Sequence, residues 1–218
     1  MGYILNAANW DLTDPTSIPS LFFTHLYITL ISLVIALVIA FPIALLVTRY
    51  TRLYTPVLTV SGILYTIPSL AAFAFLLRFT GLSTPTIVIP LVAYAQVVLI
   101  RNFAAAIHAV DPALVEVGRA MGMNGRQLQL RVILPLALPV IVAGIRVTMV
   151  TTIGIASLAP LIGVETLGYL VFQGLNFSYI DQTVAGAILI TVLAIAADLL
   201  LLALQRWLAR GREIAPAS

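Results

Sequence analysis

Few side chains in this sequence could do chemistry, and they are poorly placed to do it together. His25 and His108 are the only two histidines, and they flank different apolar stretches. They read as lying at opposite faces of a membrane, so they share neither a metal nor an acid–base site. Cysteine is absent, which excludes thiolate ligands and thiol redox chemistry. All 11 basic residues are arginine, so there is no lysine to complete a Walker A phosphate loop. No Gly-x-Ser-x-Gly elbow occurs, and serine, histidine and aspartate do not gather in any nucleophile motif. The chain reads as having no catalytic centre, no metal site and no cofactor of its own.

What remains is ionisable groups inside apolar runs, where a charge is costly and functional by default. Arg146 and Asp198 are the main cases, with Arg101, Gln96 and Asn102 near the end of another run. Arg101 and Arg146 are read as snorkelling to a membrane interface. Asp198, about mid-run, is read as pairing with an arginine of another helix that the sequence does not name.

The elements that carry these groups follow from composition. Hydrophobic residues make up 61% of 218, charged residues only 9%, and mean hydropathy is +1.11. So few charges cannot cover a soluble domain of this size. Continuous rather than alternating apolar runs exclude a barrel, which leaves an all-α polytopic membrane protein. Five windows are long enough to span: 23–47, 57–77, 86–106, 140–162 and 183–204. Pro42, Pro68, Pro90 and Pro160 lie in or near them and are expected mainly to shape packing. Arg49, Arg52, Arg119, Arg126, Arg131, Arg206, Arg210 and Arg212 all fall on one face, with Arg78 in a loop on the other. The positive-inside rule then sets the N-terminus outside and the C-terminus inside. Arginine in this placement is a topology signal and not a nucleic-acid surface. The expected organisation is an extracytoplasmic segment 1–22, one transmembrane domain 23–208 and a cytoplasmic tail 209–218.

Between the third and fourth windows lies a polar island, residues 111–139, inside a cytoplasmic loop 107–139: D-P-A-L-V-E-V-G-R-A-M-G-M-N-G-R-Q-L-Q-L-R-V-I-L-P-L-A-L-P. Asp111 and Pro112 are a helix start, and Gly122 is a left-handed stop near Met121. Asn124 caps a second helix with Gln127 at the capping-box position, and Pro135 is expected to end it. Glu116 and Arg119 are spaced to pair, and Leu114, Val117 and Met121 offer an apolar edge. Such a hairpin fits a groove on a soluble partner, or lies on the bilayer surface; spacing alone leaves both open.

The island resembles the Glu-Ala-Ala motif of permease subunits in bacterial binding-protein-dependent ABC importers. Glu116, Gly122, Val132, Leu134 and Pro135 stand at that motif's spacing, while Val117 and Gly118 replace its two alanines. The wording E-V-G-R-A-M-G-M and then L-P-L-A-L-P-V-I-V-A-G-I-R is most similar to the glycine betaine/carnitine/choline branch. A second stretch, L-I-G-V-E-T-L-G-Y-L, resembles the family's Gly-Ala-Gly-Gly-Leu-Gly segment before a short outer helix near the gate. Gly163, Leu167 and Gly168 match, and Val164, Glu165 and Thr166 differ. Glu165 is read as a solvated carboxylate, or as facing a neighbouring subunit or the binding protein.

The resemblance implies a type I importer permease whose cytoplasmic coupling hairpin uses Glu116, Gly118, Arg119, Gly122, Leu134 and Pro135. It implies three partners: an ATPase that holds ATP and Mg, an extracytoplasmic substrate-binding protein and a second permease subunit. The cargo implied is a quaternary ammonium osmoprotectant. The alternatives are methionine or another small amino acid, or a non-transporting scaffold that docks a cytoplasmic regulator. No residue set is assigned to cargo; Tyr65, Tyr94 and Phe75 are aromatic faces that suit a quaternary ammonium.

Overall fold

The structure, a computed structural model, describes residues 2–210. Arg212 and residues 211–218 of the expected cytoplasmic tail lie outside the described residues. A short N-terminal helix α1 (Gly2–Leu5) precedes α2 (Ile18–Arg49), which Ser17 starts by accepting from the Ser20 amide. Next come α3 (Tyr54–Thr66), α4 (Ser69–Thr80), α5 (Thr84–His108), α6 (Pro112–Ala120) and α7 (Gly125–Leu128). A π turn (Gln129–Ile133) leads into α8 (Leu134–Ala156), and α9 (Gly168–Asn176) and α10 (Ile180–Ala209) complete the order.

Among the described residues four helices are long and apolar enough to cross a membrane, and a bent pair makes a fifth candidate. The bent pair is where window 57–77 was expected to form one span. Instead Thr51–Thr66 and Ser69–Thr80 meet at 88°. Pro68 supplies the cause. It has no amide to donate, and its ring drives Ile67 out of helical geometry to ψ 124°. The freed Ile67 carbonyl accepts from the Tyr94 hydroxyl at 2.9 Å, so α5 holds the break in place. Replacing Tyr94 with Phe should lower stability by about 1 kcal/mol, the ordinary worth of such a bond. Thermal unfolding in detergent reads this directly, and an unchanged midpoint would show that the bond does not brace the break.

The centre of the molecule is α2 against α5 and α5 against α8. Ala36, Ala40 and Ala44 recur every fourth residue on α2 and are fully buried, as small residues must be where two membrane helices approach closely. Phe41 and Phe103 meet edge to face at 6.2 Å in the same layer. A second cluster joins Leu21 and Leu33 of α2, Met149 and Ile153 of α8, Leu170 of α9 and Leu193 of α10. His25 is fully buried beside it, with Nε2 at 3.1 Å from the Ile153 carbonyl. Pro42, Pro90 and Pro139 sit inside continuous helices, while Pro160 lies in a 3-10 turn, Ala159–Ile162.

Two expected boundaries shift. Window 140–162 was to be one span, but α8 begins at Leu134 and stops at Ala156. The second island helix was to end by Pro135, yet one helical run continues from Gly125 to Ala156. The π turn explains it. Leu134 donates to the Gln129 carbonyl five residues back, which widens the turn just ahead of the proline ring.

Candidate functional site: the polar hairpin, the outer loop and the α8–α10 seam

Local sequence builds the hairpin. The Asp111 carboxylate accepts from the Ala113 amide at 2.8 Å and opens α6. Gly122 closes it at φ +78°, a left-handed position. Its amide donates to the Arg119 carbonyl at 2.9 Å, and the Met123 amide donates to Gly118 at 3.2 Å. These are the paired bonds of a Schellman ending. Asn124 and Gln127 then form the full reciprocal capping box, each bond 2.9 Å. Gly118 is the buried joint between the helices. A methyl there would stand 2.7 Å from Leu128 Cδ1, the movable end of a side chain, so the spot is tight but not closed to alanine.

Glu116 and Arg119 are both exposed, and no ion pair joins them, so the pairing read from their spacing does not form. Of the expected apolar edge, Val117 and Met121 are 57% and 72% exposed, and Leu114 is half-buried. The hairpin thus presents a carboxylate, a guanidinium and two uncovered apolar side chains. Leu134 and Pro135 are half-buried in the first turn of α8 and sit apart from that outward face.

The loop between α8 and α9, the expected outer loop, is knitted to the end of α8. Gly163 adopts φ +82°, with Leu82 against it. The Thr166 hydroxyl donates to the Ala156 carbonyl at 3.0 Å, which occupies one of the carbonyls that a helix end leaves free. Leu167 is fully buried. Gly168 is the closest approach: a Cβ there would lie 1.7 Å from the Ser157 carbonyl oxygen. Close backbone contact is therefore kept by one glycine although Glu165 and Thr166 replace glycines of the resembled segment. Glu165 is half-buried. Burial first, then Glu165 and Asp14 nearby, push the Tyr169 phenol above its usual range.

The third group is one that sequence reasoning half found. Asp198 does pair with an arginine, and that arginine is Arg146. Arg146 Nε donates to Asp198 Oδ1 at 2.9 Å and an Nη to Oδ2 at 2.8 Å, a two-pronged match of fork to carboxylate. Its other Nη donates to Gln205 Oε1 at 2.8 Å. Gln205 was missed. It lies seven residues after Asp198, two turns along the same helix face, which was the available signal. Arg101 is exposed, seven residues before the end of α5. Gln96 turns inward and donates to the Ala36 and Val92 carbonyls, and Asn102 donates to Val98.

The aromatic candidates gather at the bent pair α3 and α4. Tyr65 and Tyr94 meet edge to face at 5.9 Å. Phe75 and Tyr94 line an apolar cleft of about 460 Å³ between α3, α4 and α5. Among the described residues no group of three or more His, Cys, Asp or Glu could hold a metal.

Membrane-length helices around a protruding helix–glycine–helix connection define a permease subunit of the ABC importer class. Residues 34–214 match the family described as binding-protein-dependent transport system inner membrane component, and the chain belongs to that family. It is 38% identical over 174 residues to the carnitine transport permease protein OpuCB of Listeria monocytogenes, covering 80% of each chain. It is 36% identical over 206 residues to the osmoprotectant import permease protein OsmW of Salmonella typhimurium, covering 92% of this chain and 96% of that one. The fold is that of a chain in an inward-facing structure of the MetNI methionine ABC transporter. There the TM-score is 0.76 at 24% identity, over 85% of this chain and 93% of that one. Several apolar helices and this family make the chain a multi-pass inner-membrane protein.

Proposed function

We propose that this permease forms half of the path for a quaternary ammonium osmoprotectant such as glycine betaine, choline or carnitine. The observation that carries the cargo is the likeness to permeases named for carnitine and osmoprotectants along most of their length. A methionine importer shares the fold at lower identity, which supports the architecture and not that cargo.

The power source is a separate ATPase that holds ATP and Mg, and selectivity comes from an extracytoplasmic binding protein. The exposed hairpin docks the ATPase, with Glu116, Arg119, Val117 and Met121 as its outward face. Gly122 and Gly118 set the hairpin's shape, and Leu134 and Pro135 join it to α8. The arginine-rich ends then face the cytoplasm, with the N-terminus outside the bacterial inner membrane. A second permease subunit completes the path, and Gly163, Glu165, Leu167 and Gly168 shape its outer gate. The aromatic rings at the bent pair offer faces that a cation without hydrogen-bond donors can use.

The test is ATP hydrolysis in liposomes by the permease with its cognate ATPase and binding protein. Glycine betaine, choline, carnitine and methionine are compared. Stimulation by one or more of the quaternary ammonium compounds is expected. Stimulation by methionine alone would overturn the cargo, and assembly without response to any of the four would count against it too.

A further inference from the structure

We propose that Arg146, Asp198 and Gln205 form a register clamp that makes α10 travel with α8, so that hairpin movement reaches the outer helix α9. This role rests on the permease reading above. It assigns positioning residues for transport on α8 and α10, outside the hairpin and the loop before α9.

The argument starts from what holds α10. Its extensive contacts are with α8 and α9, with a smaller one to α1. Leu189, Leu193, Ala194, Ala197 and Leu201 of α10 pack in the apolar cluster that Met149 and Ile153 of α8 share. Inside a bilayer such a seam has little preference for one axial register, because lipid tails are as apolar as leucine. The clamp supplies that preference. One planar guanidinium makes three bonds to two residues of α10, at 2.8, 2.8 and 2.9 Å. Sliding α10 by a single residue, about 1.5 Å, would break the two-pronged geometry.

At its other end α10 is fixed to α9. A Cβ on Gly174 would meet Thr183 Oγ1 at 2.3 Å, and one on Gly186 would meet the Val171 amide nitrogen at 2.9 Å. The Tyr179 amide donates to the Gly174 carbonyl at 2.7 Å, closing a tight turn with Ser178 at φ +60°. At the near end, α8 and the second hairpin helix are one run from Gly125 to Ala156. A continuous chain of stiff elements therefore leads from hairpin to α8, through the clamp to α10, and across glycine contacts to α9. Without the clamp, α8 can shift while α10 stays behind, and α9, held at its start by the end of α8 and along its length by α10, is pulled between them.

The test uses the complete importer in liposomes with Asp198→Asn, Gln205→Leu, Arg146→Lys and the exchanged pair Arg146→Asp with Asp198→Arg. Transport and ATP hydrolysis are measured together. In addition, spin labels on Arg78→Cys at the end of α4 and Asn176→Cys on α9 report outer movement on ATP binding. In the unaltered importer the distance between labels is expected to change. In Asp198→Asn and Arg146→Lys, hydrolysis should persist, the distance change should shrink, and transport per ATP should fall about fivefold or more. Gln205→Leu should show the same pattern more weakly, and the exchanged pair should regain coupling. Equal loss of transport and hydrolysis, or an unchanged ratio in well-folded Gln205→Leu and Asp198→Asn proteins, would overturn the clamp. An unaltered importer with no ligand-stimulated hydrolysis would instead sink the permease reading.

Discussion

Gly168→Ala should destabilise the protein by more than the ~1–3 kcal/mol typical of overpacking a core. The reason is what the new methyl would meet. It would stand 1.7 Å from the Ser157 carbonyl oxygen and 2.7 Å from its carbon, both backbone atoms that no rotamer change can move aside. Nor can the loop retreat. Leu167 beside it is fully buried, and Thr166 is bonded to Ala156. Gly154→Ala is the natural control, since nothing lies within 4 Å of a Cβ there. That change removes a helix-interior glycine and should leave stability equal or slightly raised. Thermal unfolding in detergent compares the two. Equal midpoints for wild type and Gly168→Ala would mean that the outer loop does not rest on Ser157.

The second large effect is on coupling. Gly122→Leu places a branched side chain at φ +78°, where an L-residue is disfavoured by about 1–2 kcal/mol. Both bonds of the Schellman ending depend on that conformation. The hairpin stands at the edge of the fold, so the variant should still accumulate in the membrane. Ligand-stimulated hydrolysis and transport should fall by about tenfold or more, the scale of a ~1.4 kcal/mol coupling loss. Gly122→Asn should keep much of the activity, because asparagine tolerates the left-handed region. Glu116→Lys tests the outward face alone. Its carboxylate is exposed and outside any ion pair, so charge reversal should leave the melting midpoint in place and abolish stimulation. Transport at the unaltered rate in Glu116→Lys would remove that carboxylate from the docking surface.

How legible each part was depends on how local its cause is. Both hairpin caps could be read from the sequence, because each bond joins residues within five positions. Gly168 was singled out by the resemblance to the family's glycine-rich segment, yet only the fold shows that its neighbour is the Ser157 carbonyl. The sharp bend between α3 and α4 escaped because hydropathy records how apolar a window is and not its direction. Pro68 was visible, but its 88° consequence needs Tyr94, 26 residues further on, to hold the bend. Pro135 misled for the opposite reason: a π turn absorbs the ring that would otherwise end the helix. Arg146 and Asp198 are 52 residues apart, and only the packing of α8 on α10 singles out this arginine among 11.

The contact between His25 and the Ile153 carbonyl sets a timetable for biogenesis. Its two partners are separated by 128 residues of chain. At ~5–20 residues per second of synthesis, the imidazole therefore waits roughly 6–25 s for its acceptor to be made. Throughout that interval α2 carries a polar ring on a face that α8 does not yet cover. The first long helix enters the membrane before the chain has made what will shield it, so the nascent protein depends on whatever receives α2 at the insertion site until the fourth candidate span arrives.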